Sequence, residues 1–196
     1  MQIQKGDITT SLTTQWGGKS NGLLNLVRLN YLTPDFYILS QPINEQLSEL
    51  YPLKQLIEKW QRDFKIDKDQ LWAVRSSAAL EDGLDKSFAG QYLTELNVSF
   101  EGLEQAIKNV INSYSEVDTY KDAVTDFSIL IQEMIPAEYS GVIFSKHPQN
   151  LLSTDSILQI IPGLGDTLVS GELDGLTIEG DVNHYEYNEI YWCYTL

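Results

Sequence analysis

The amino-acid sequence predicts an α+β (mixed α/β) fold. Stretches with helical apolar spacing alternate with short apolar runs in the first half of the chain, and strand-like runs dominate the second half. The chain has 196 residues, which is enough for one sizeable core or for two small lobes. We expect an N-terminal lobe over residues 1–120 and a second, strand-rich lobe over residues 121–196.

Three helices are predicted. The first covers residues 19–30, follows two glycines and carries apolar residues at an approximate 3.6-residue period. The second covers residues 44–64 and is interrupted or restarted at Pro52, because proline is tolerated only in the first turn of a helix. The third covers residues 103–114. These helices lie in the predicted N-terminal lobe.

Short apolar or alternating runs predict the strands. Residues 92–98 alternate between two sets of side chains, which is typical of a strand with one buried face. A polar stretch is expected after Arg75. Residues 176–194 are rich in aromatic side chains and predict further short strands around Gly180 and Asp181. The remaining predicted strands are apolar runs at residues 36–39, 71–75, 127–131, 141–144 and 157–161.

Charge and composition exclude several classes of function. The chain has 13 Lys and Arg against 28 Asp and Glu, a net charge of −15 and a sequence pI of about 4.3. We therefore expect no nucleic-acid partner and no docking on an anionic membrane, since both require a basic surface. The N-terminus lacks the apolar core of a signal peptide, and we expect a cytoplasmic protein. A single cysteine excludes an internal disulfide.

The segment Gly17-Gly18-Lys19-Ser20 is the first candidate for chemistry. Glycines at a helix start let backbone N–H groups approach a phosphate, and the lysine ammonium adds a positive charge. The segment is not a P-loop, because Thr13 stands where that motif requires glycine. A flexible turn with a solvated lysine is the alternative interpretation of these residues.

Arg75 is the second candidate. It ends the predicted strand 71–75, so its permanently charged guanidinium is directed towards a strand end, where ligands are often bound. A salt bridge to Glu81 or Asp82 is the alternative.

Two further segments are candidates for covering or packing against a ligand. The loop from Ser87 to Gln91, with Gly90 inside it and Thr94 beyond it, could close over a ligand. A plain hairpin turn is the alternative. The apolar strand that ends at Gln132, Met134 and Ile135 could offer backbone groups and apolar contacts to a flat heterocycle. These last residues could equally be simple core.

The order and spacing of these segments resemble the N-terminal ATP-binding domain of the phosphoenolpyruvate synthase and pyruvate phosphate dikinase family. The resemblance implies an ATP-grasp-like, two-lobe nucleotide-binding domain. It implies that Lys19 and Arg75 hold the ATP phosphates as catalytic residues, and that Ser87, Gly90 and Thr94 cover them. It implies that Gln132, Met134 and Ile135 form a hinge against adenine. The segments that carry the resemblance are Gly17–Lys19, Pro34–Phe36, Val74–Ala78 with Glu81-Asp82, Ser87–Gln91 with Thr94, Gln132-x-Met134, Ser140–Phe144, Gly163–Gly165 and Val169–Gly171.

The chain also departs from the family pattern. Ser20-Asn21-Gly22 replaces the usual Gly-Ala-Asn after the lysine, and Asp166 stands in place of a glutamate. The family's acidic Mg²⁺-binding segment has no counterpart before Leu196, so the metal ligands are not identified and the fold is expected to be incomplete at its C-terminal end.

The resemblance implies ATP and Mg²⁺ as cofactors and a phosphotransferase that phosphorylates a carrier histidine on another domain or chain. The alternative is a degenerate ATP-grasp-like binding module without catalysis. Whether this chain is itself an enzyme stays open at this point.

Overall fold

A computed structural model of the chain describes residues 2–13, 16–40, 53–78, 93–116, 127–144, 153 and 155–180. The described residues up to Met134 form one compact unit, and those from Ile135 onwards form a second. No helix in these described ranges is long and apolar enough to cross a membrane.

The first unit contains a five-stranded antiparallel sheet. Its strands are β1 (Gln2–Lys5), β2 (Phe36–Ser40), β3 (Trp72–Ala78), β4 (Thr94–Val98) and β5 (Phe127–Glu133). They lie in the order β1-β2-β5-β3-β4. The sheet therefore places β5 and β3, which are separated by 48 residues in the chain, next to one another at its centre.

Helices cover both faces of this sheet. Helix α1 (Gly17–Arg28) packs on one face, where Leu23 and Leu24 contact a buried cluster that includes Leu130 of β5. Helices α2 (Leu53–Phe64) and α3 (Leu103–Glu116) pack on the other face, around Trp60, and form the larger core. A single 3-10 turn (Phe100–Gly102) precedes α3. Apolar burial on both faces fixes the register of the central strands, since a shift by one residue would exchange the faces.

The predicted helices are found with shifted ends. Helix α1 begins two residues before the predicted start, at Gly17, and it ends at Arg28 because Asn30 adopts a left-handed φ of 60°. Residues 44–52 of the second predicted helix lie outside the described residues, and its described part begins directly after Pro52. Helix α3 extends two residues beyond the predicted end.

Strands β3 and β5 are longer than predicted. The polar residues Ser76 and Ser77, followed by Ala78, continue β3, although the sequence predicts that the strand ends at Arg75. They continue it because each pairs directly with a residue of β5, and all three are buried. Hydroxyl groups are accepted inside a strand when they find hydrogen-bond partners there.

The second unit is a three-stranded antiparallel sheet. Strand β6 (Tyr139–Phe144) pairs with β7 (Ser156–Pro162), and β7 pairs with β8 (Leu176–Gly180). A one-turn helix, α4 (Asp166–Val169), lies between β7 and β8 in the chain. The further strands predicted after Gly180 lie outside the described residues.

The two units divide the chain at a later point than the predicted lobe boundary. Residues 117–126, where the sequence predicts that boundary, lie outside the described residues. Strand β5 pairs with β2 and β3 and so belongs to the first sheet, whereas the sequence predicts it in the second lobe. The assignment of two functional lobes stays a prediction.

Candidate functional site

Three of the candidate residues share one face of the five-stranded sheet. Arg75 lies directly opposite Thr94 of β4 on one side and Leu130 of β5 on the other. Gln132 follows Leu130 by two residues, and alternate residues of a strand point to the same face. Leu130 packs against α1, so this is the face that α1 covers. The register of three strands thus places Arg75, Thr94 and Gln132 on the sheet face against which α1 packs.

The candidate residues on this face differ in exposure. Arg75 is 6% exposed and Gln132 is 2% exposed, whereas Thr94 is exposed and Lys19 is half-buried in the first turn of α1. A guanidinium stays protonated in proteins, so Arg75 carries its charge in a buried environment, where electrostatic interactions are stronger than in water. Glu81 and Asp82, its alternative partners from sequence, lie outside the described residues.

The first turn of α1 is attached to the sheet by a cluster of buried serines. The hydroxyls of Ser77 and Ser128 both donate to the carbonyl of Trp16, at 2.6 and 2.7 Å. The backbone N–H of Ser20 donates to the Ser77 hydroxyl at 3.0 Å, and the hydroxyls of Ser20 and Ser128 lie 3.3 Å apart. We call Ser20, Ser77 and Ser128 the serine cluster. It fixes α1 to β3 and β5 beside Arg75.

Backbone conformation and close packing explain why α1 begins with a glycine. Gly17 adopts φ 70°, a conformation that other residues rarely take. A Cβ atom at this position would also lie 2.3 Å from the backbone carbonyl of Ser77. The start of α1 therefore touches the backbone of β3, and this glycine is not part of a merely flexible turn.

The helix start also has the electrostatic character of an anion site. Helix N-termini carry unpaired N–H groups and a partial positive charge. The first turn of α1 holds no acidic residue, and the side chain of its N-cap residue, Trp16, makes no capping hydrogen bond. Lys19 adds a full positive charge at the same end. This arrangement favours a phosphate or another anion near the first turn of α1.

The hinge candidates are partly engaged within the first unit. The amide N–H of Met134 donates to the carbonyl of Leu71 at 2.9 Å, and the side chain of Gln70 donates to the carbonyl of Met134 at 3.3 Å. The carbonyl of Met134 keeps a second lone pair, whereas its N–H is already used. An adenine bound at Met134 would therefore contact the carbonyl and the half-buried side chain of this residue.

Ile135 belongs to the second unit, where it is half-buried and its carbonyl accepts from the N–H of Ala137 at 2.8 Å. Its assignment to the hinge stays a prediction.

The glycine motifs of the second unit meet one another. The hydroxyl of Ser140 donates to the carbonyl of Gly163 at 2.6 Å. A Cβ atom at Gly141 would lie 2.5 Å from the carbonyl oxygen of Gln159 on β7, and Gly163 adopts φ 81°. These glycines therefore allow close strand approach and a tight turn, which explains them without a ligand.

The family model that describes the pyruvate phosphate dikinase AMP/ATP-binding domain matches residues 35–182, about three quarters of the chain. The chain belongs to this family. The matched range of the AMP/ATP-binding domain includes Arg75, Thr94 and Gln132 but begins after α1. Lys19 lies outside that range, in the first turn of α1, which the structure attaches to β3 and β5.

Three curated proteins illustrate the relationship. The phosphoenolpyruvate synthase of Aeropyrum pernix is 33% identical over 112 residues, which cover 52% of this chain and 13% of that protein. The uncharacterized phosphotransferase YvkC of Bacillus subtilis is 36% identical over 112 residues, with the same coverage. The prodigiosin synthesizing transferase PigC of Serratia marcescens is 33% identical over 109 residues, covering 52% and 12%. The chain thus spans about an eighth of each relative's length.

Some predicted features of the AMP/ATP-binding domain are not described by the structure. Ser87 and Gly90, expected to cover the phosphates, lie outside the described residues. The sequence does not predict the serine cluster. The only available signal was a small polar residue, Ser128, inside the otherwise apolar run of β5.

Proposed function

We propose that this AMP/ATP-binding domain binds the phosphates of ATP with Lys19, Arg75 and the first turn of α1. The observation that carries the proposal is that β3 presents Arg75 on the sheet face against which α1 is fixed. A buried guanidinium and a helix N-terminus are held in place by the fold, so their positive charge needs no rearrangement when a phosphate binds. This local charge explains how a chain with net charge −15 can bind a polyanion.

We further propose that the domain serves a phosphotransferase of the dikinase type, which phosphorylates a carrier histidine on another domain or chain. Phosphoryl transfer depends mainly on positioning and on positive charge around the transferred group. Arg75 fits that role, because it is held between paired strands and keeps its charge. In this proposal Gln132 and the Met134–Ile135 segment contact the adenine, while Ser87, Gly90 and Thr94 cover the phosphates.

Mg²⁺ is the metal that the resemblance implies. Among the residues that the structure describes, no group of three or more His, Cys, Asp or Glu side chains could hold a metal ion. The described residues therefore do not fit a magnesium site by themselves. We assign no residue to Mg²⁺ and derive no step through it.

A second candidate function is a degenerate ATP-grasp-like module that binds without catalysis. Two departures from the family pattern favour it. Gly22 lies inside α1, where glycine lowers helix stability, and Asp166 is an exposed residue at the start of α4. A module of this kind would bind a ligand and transfer no phosphoryl group.

Titration calorimetry with ATP in the presence of Mg²⁺ tests the binding proposal. We expect the chain to bind ATP, and Lys19→Met and Arg75→Met each to weaken binding about 10- to 100-fold, since a charge-assisted hydrogen bond contributes about 1.5–3 kcal/mol. Matched controls are Lys59→Met and Arg62→Met on α2, which packs on the opposite face of the sheet. Circular dichroism establishes that each variant is folded.

Two results would contradict the binding proposal. One is the absence of binding heat at millimolar ATP with folded wild-type chain. The other is an equal loss of affinity in the α2 control variants.

Phosphoryl transfer is tested separately. The chain is incubated with ATP that carries radiolabelled phosphates and with a second polypeptide from the same organism. Acid-labile, base-stable label on that polypeptide supports the phosphotransferase, provided that the Arg75→Met variant gives none. ATP binding without any such label supports the binding module instead.

A further inference from the structure

The serine cluster is a polar group inside an apolar interface. Ser20, Ser77 and Ser128 are each 0% exposed, and around them α1 packs on the sheet through Leu23 and Leu24. Burying a hydroxyl costs free energy unless it is hydrogen-bonded, and alanine would fit the same space without that cost. The cluster therefore contributes something that an apolar contact would not.

Its hydrogen bonds supply direction. Apolar packing is non-directional, so the leucines of α1 allow small shifts and rotations along the sheet. The Trp16 carbonyl accepts from hydroxyls on two neighbouring strands at once, Ser77 of β3 and Ser128 of β5, which face each other in register. Because two short hydrogen bonds from different strands hold the Trp16 carbonyl, the first turn of α1 takes one position relative to those strands.

The cluster also connects the backbones of Lys19 and Arg75, the two residues proposed to bind the phosphates. Ser20 is the neighbour of Lys19 in α1, and its N–H donates to Ser77. Ser77 is two residues from Arg75 on β3 and shares its face. The path from the Lys19 backbone to the Arg75 backbone thus crosses one hydrogen bond and one short stretch of strand.

We propose that Ser77 and Ser128 are positioning residues that hold Lys19 and Arg75 at the spacing required to bind the same triphosphate group. This inference rests on the proposed function, because it assigns the serines to that ATP site. The serines touch no phosphate themselves. They act through the carbonyl of Trp16 and hence through the first turn of α1.

A double-mutant cycle separates positioning from general stabilisation. ATP affinity is measured by calorimetry for the wild-type chain, Ser77→Ala, Lys19→Met and the double variant, and the cycle is repeated with Ser128→Ala. We expect each serine variant to lose about three- to tenfold in ATP affinity when Lys19 is present. We expect almost no further loss in the Lys19→Met background, because the group that the serine positions is gone.

Ser113→Ala is the matched control. Its hydroxyl donates to the carbonyl of Val110 at 2.9 Å in α3, on the opposite face of the sheet. We expect its ATP affinity to equal that of the wild type. The second variant keeps the test decisive if Ser77→Ala does not fold, since Ser128→Ala leaves the bonds from Ser77 to Trp16 and from Ser20 to Ser77 in place.

The outcomes distinguish the two proposals. Absence of ATP binding by the folded wild-type chain overturns the proposed function and this inference with it. ATP binding with equal losses in both Lys19 backgrounds, or with no loss in folded serine variants, overturns the positioning role alone. Failure of both serine variants to fold also overturns it, because the cluster is then required for the fold as a whole.

Discussion

Replacing Gly17 by alanine tests the attachment of α1 to the first sheet. At this residue two demands coincide: a left-handed φ of 70° and an approach so close that a Cβ atom would lie 2.3 Å from the carbonyl of Ser77. Either demand alone disfavours a side chain. Together they make Gly17 the most sensitive position in the first turn.

The expected cost follows from the geometry. Alanine in the left-handed region costs about 1–2 kcal/mol. The Cβ also meets the backbone of β3, so α1 must move outward by about 1 Å to reach ordinary contact at 3.4 Å. That movement lengthens the two hydrogen bonds to the Trp16 carbonyl, which contribute about 1 kcal/mol each. We expect Gly17→Ala to lower the free energy of unfolding by about 3–4 kcal/mol.

Urea unfolding monitored by circular dichroism measures this change. Gly102→Ala is the control in the same unit, since a Cβ there meets only Val98 and Ser99 side-chain atoms at 3.4 and 3.5 Å. It should change stability by no more than about 1 kcal/mol. If Gly17→Ala is no more destabilising than Gly102→Ala, α1 does not touch β3 as described.

Three further predictions concern other parts of the fold. Burial, with two nearby carboxylates, raises the pKa of Tyr37 to about 12, so the protonated phenol favours folding below pH 10 and this contribution is lost as the pH rises through 12. Tyr37→Phe should therefore reduce the pH dependence of the free energy of unfolding between pH 10 and 12, and an unchanged pH dependence in that range would refute this. Leu24→Ala should destabilise the first unit by about 2–5 kcal/mol in urea unfolding, because Leu24 is 0% exposed; a loss below 1 kcal/mol would mean that α1 is not packed on the sheet. Gly141→Ala should speed amide hydrogen exchange in β6 and β7, since its Cβ would lie 2.5 Å from the Gln159 carbonyl oxygen; unchanged exchange would contradict that strand pairing.

The sequence predicts elements better than it predicts their ends. The apolar period places α1 and α3 within two residues, because local spacing carries that information. It does not show that β3 continues through Ser77, since polar residues there are stabilised by partners on β5. Tertiary pairing outweighs local propensity at such positions.

In the candidate site, too, the sequence predicts some features and not others. The resemblance points to Arg75 and Gln132, and strand register brings them to one face. The serine cluster could not be predicted, since Ser20 lies 57 and 108 residues from its partners Ser77 and Ser128. Contacts of that sequence separation depend on the sheet order, which no local pattern reveals.

The proposed function requires that ATP binds at the first turn of α1 and at Arg75. Hydrogen–deuterium exchange with and without saturating ATP tests this requirement, because it reports the location of binding in the intact chain. We expect slower exchange in peptides that cover residues 17–24 and 72–78, and unchanged exchange in residues 53–64 of α2 on the opposite face. Protection of α2 with no change at α1 and β3 would contradict the claim.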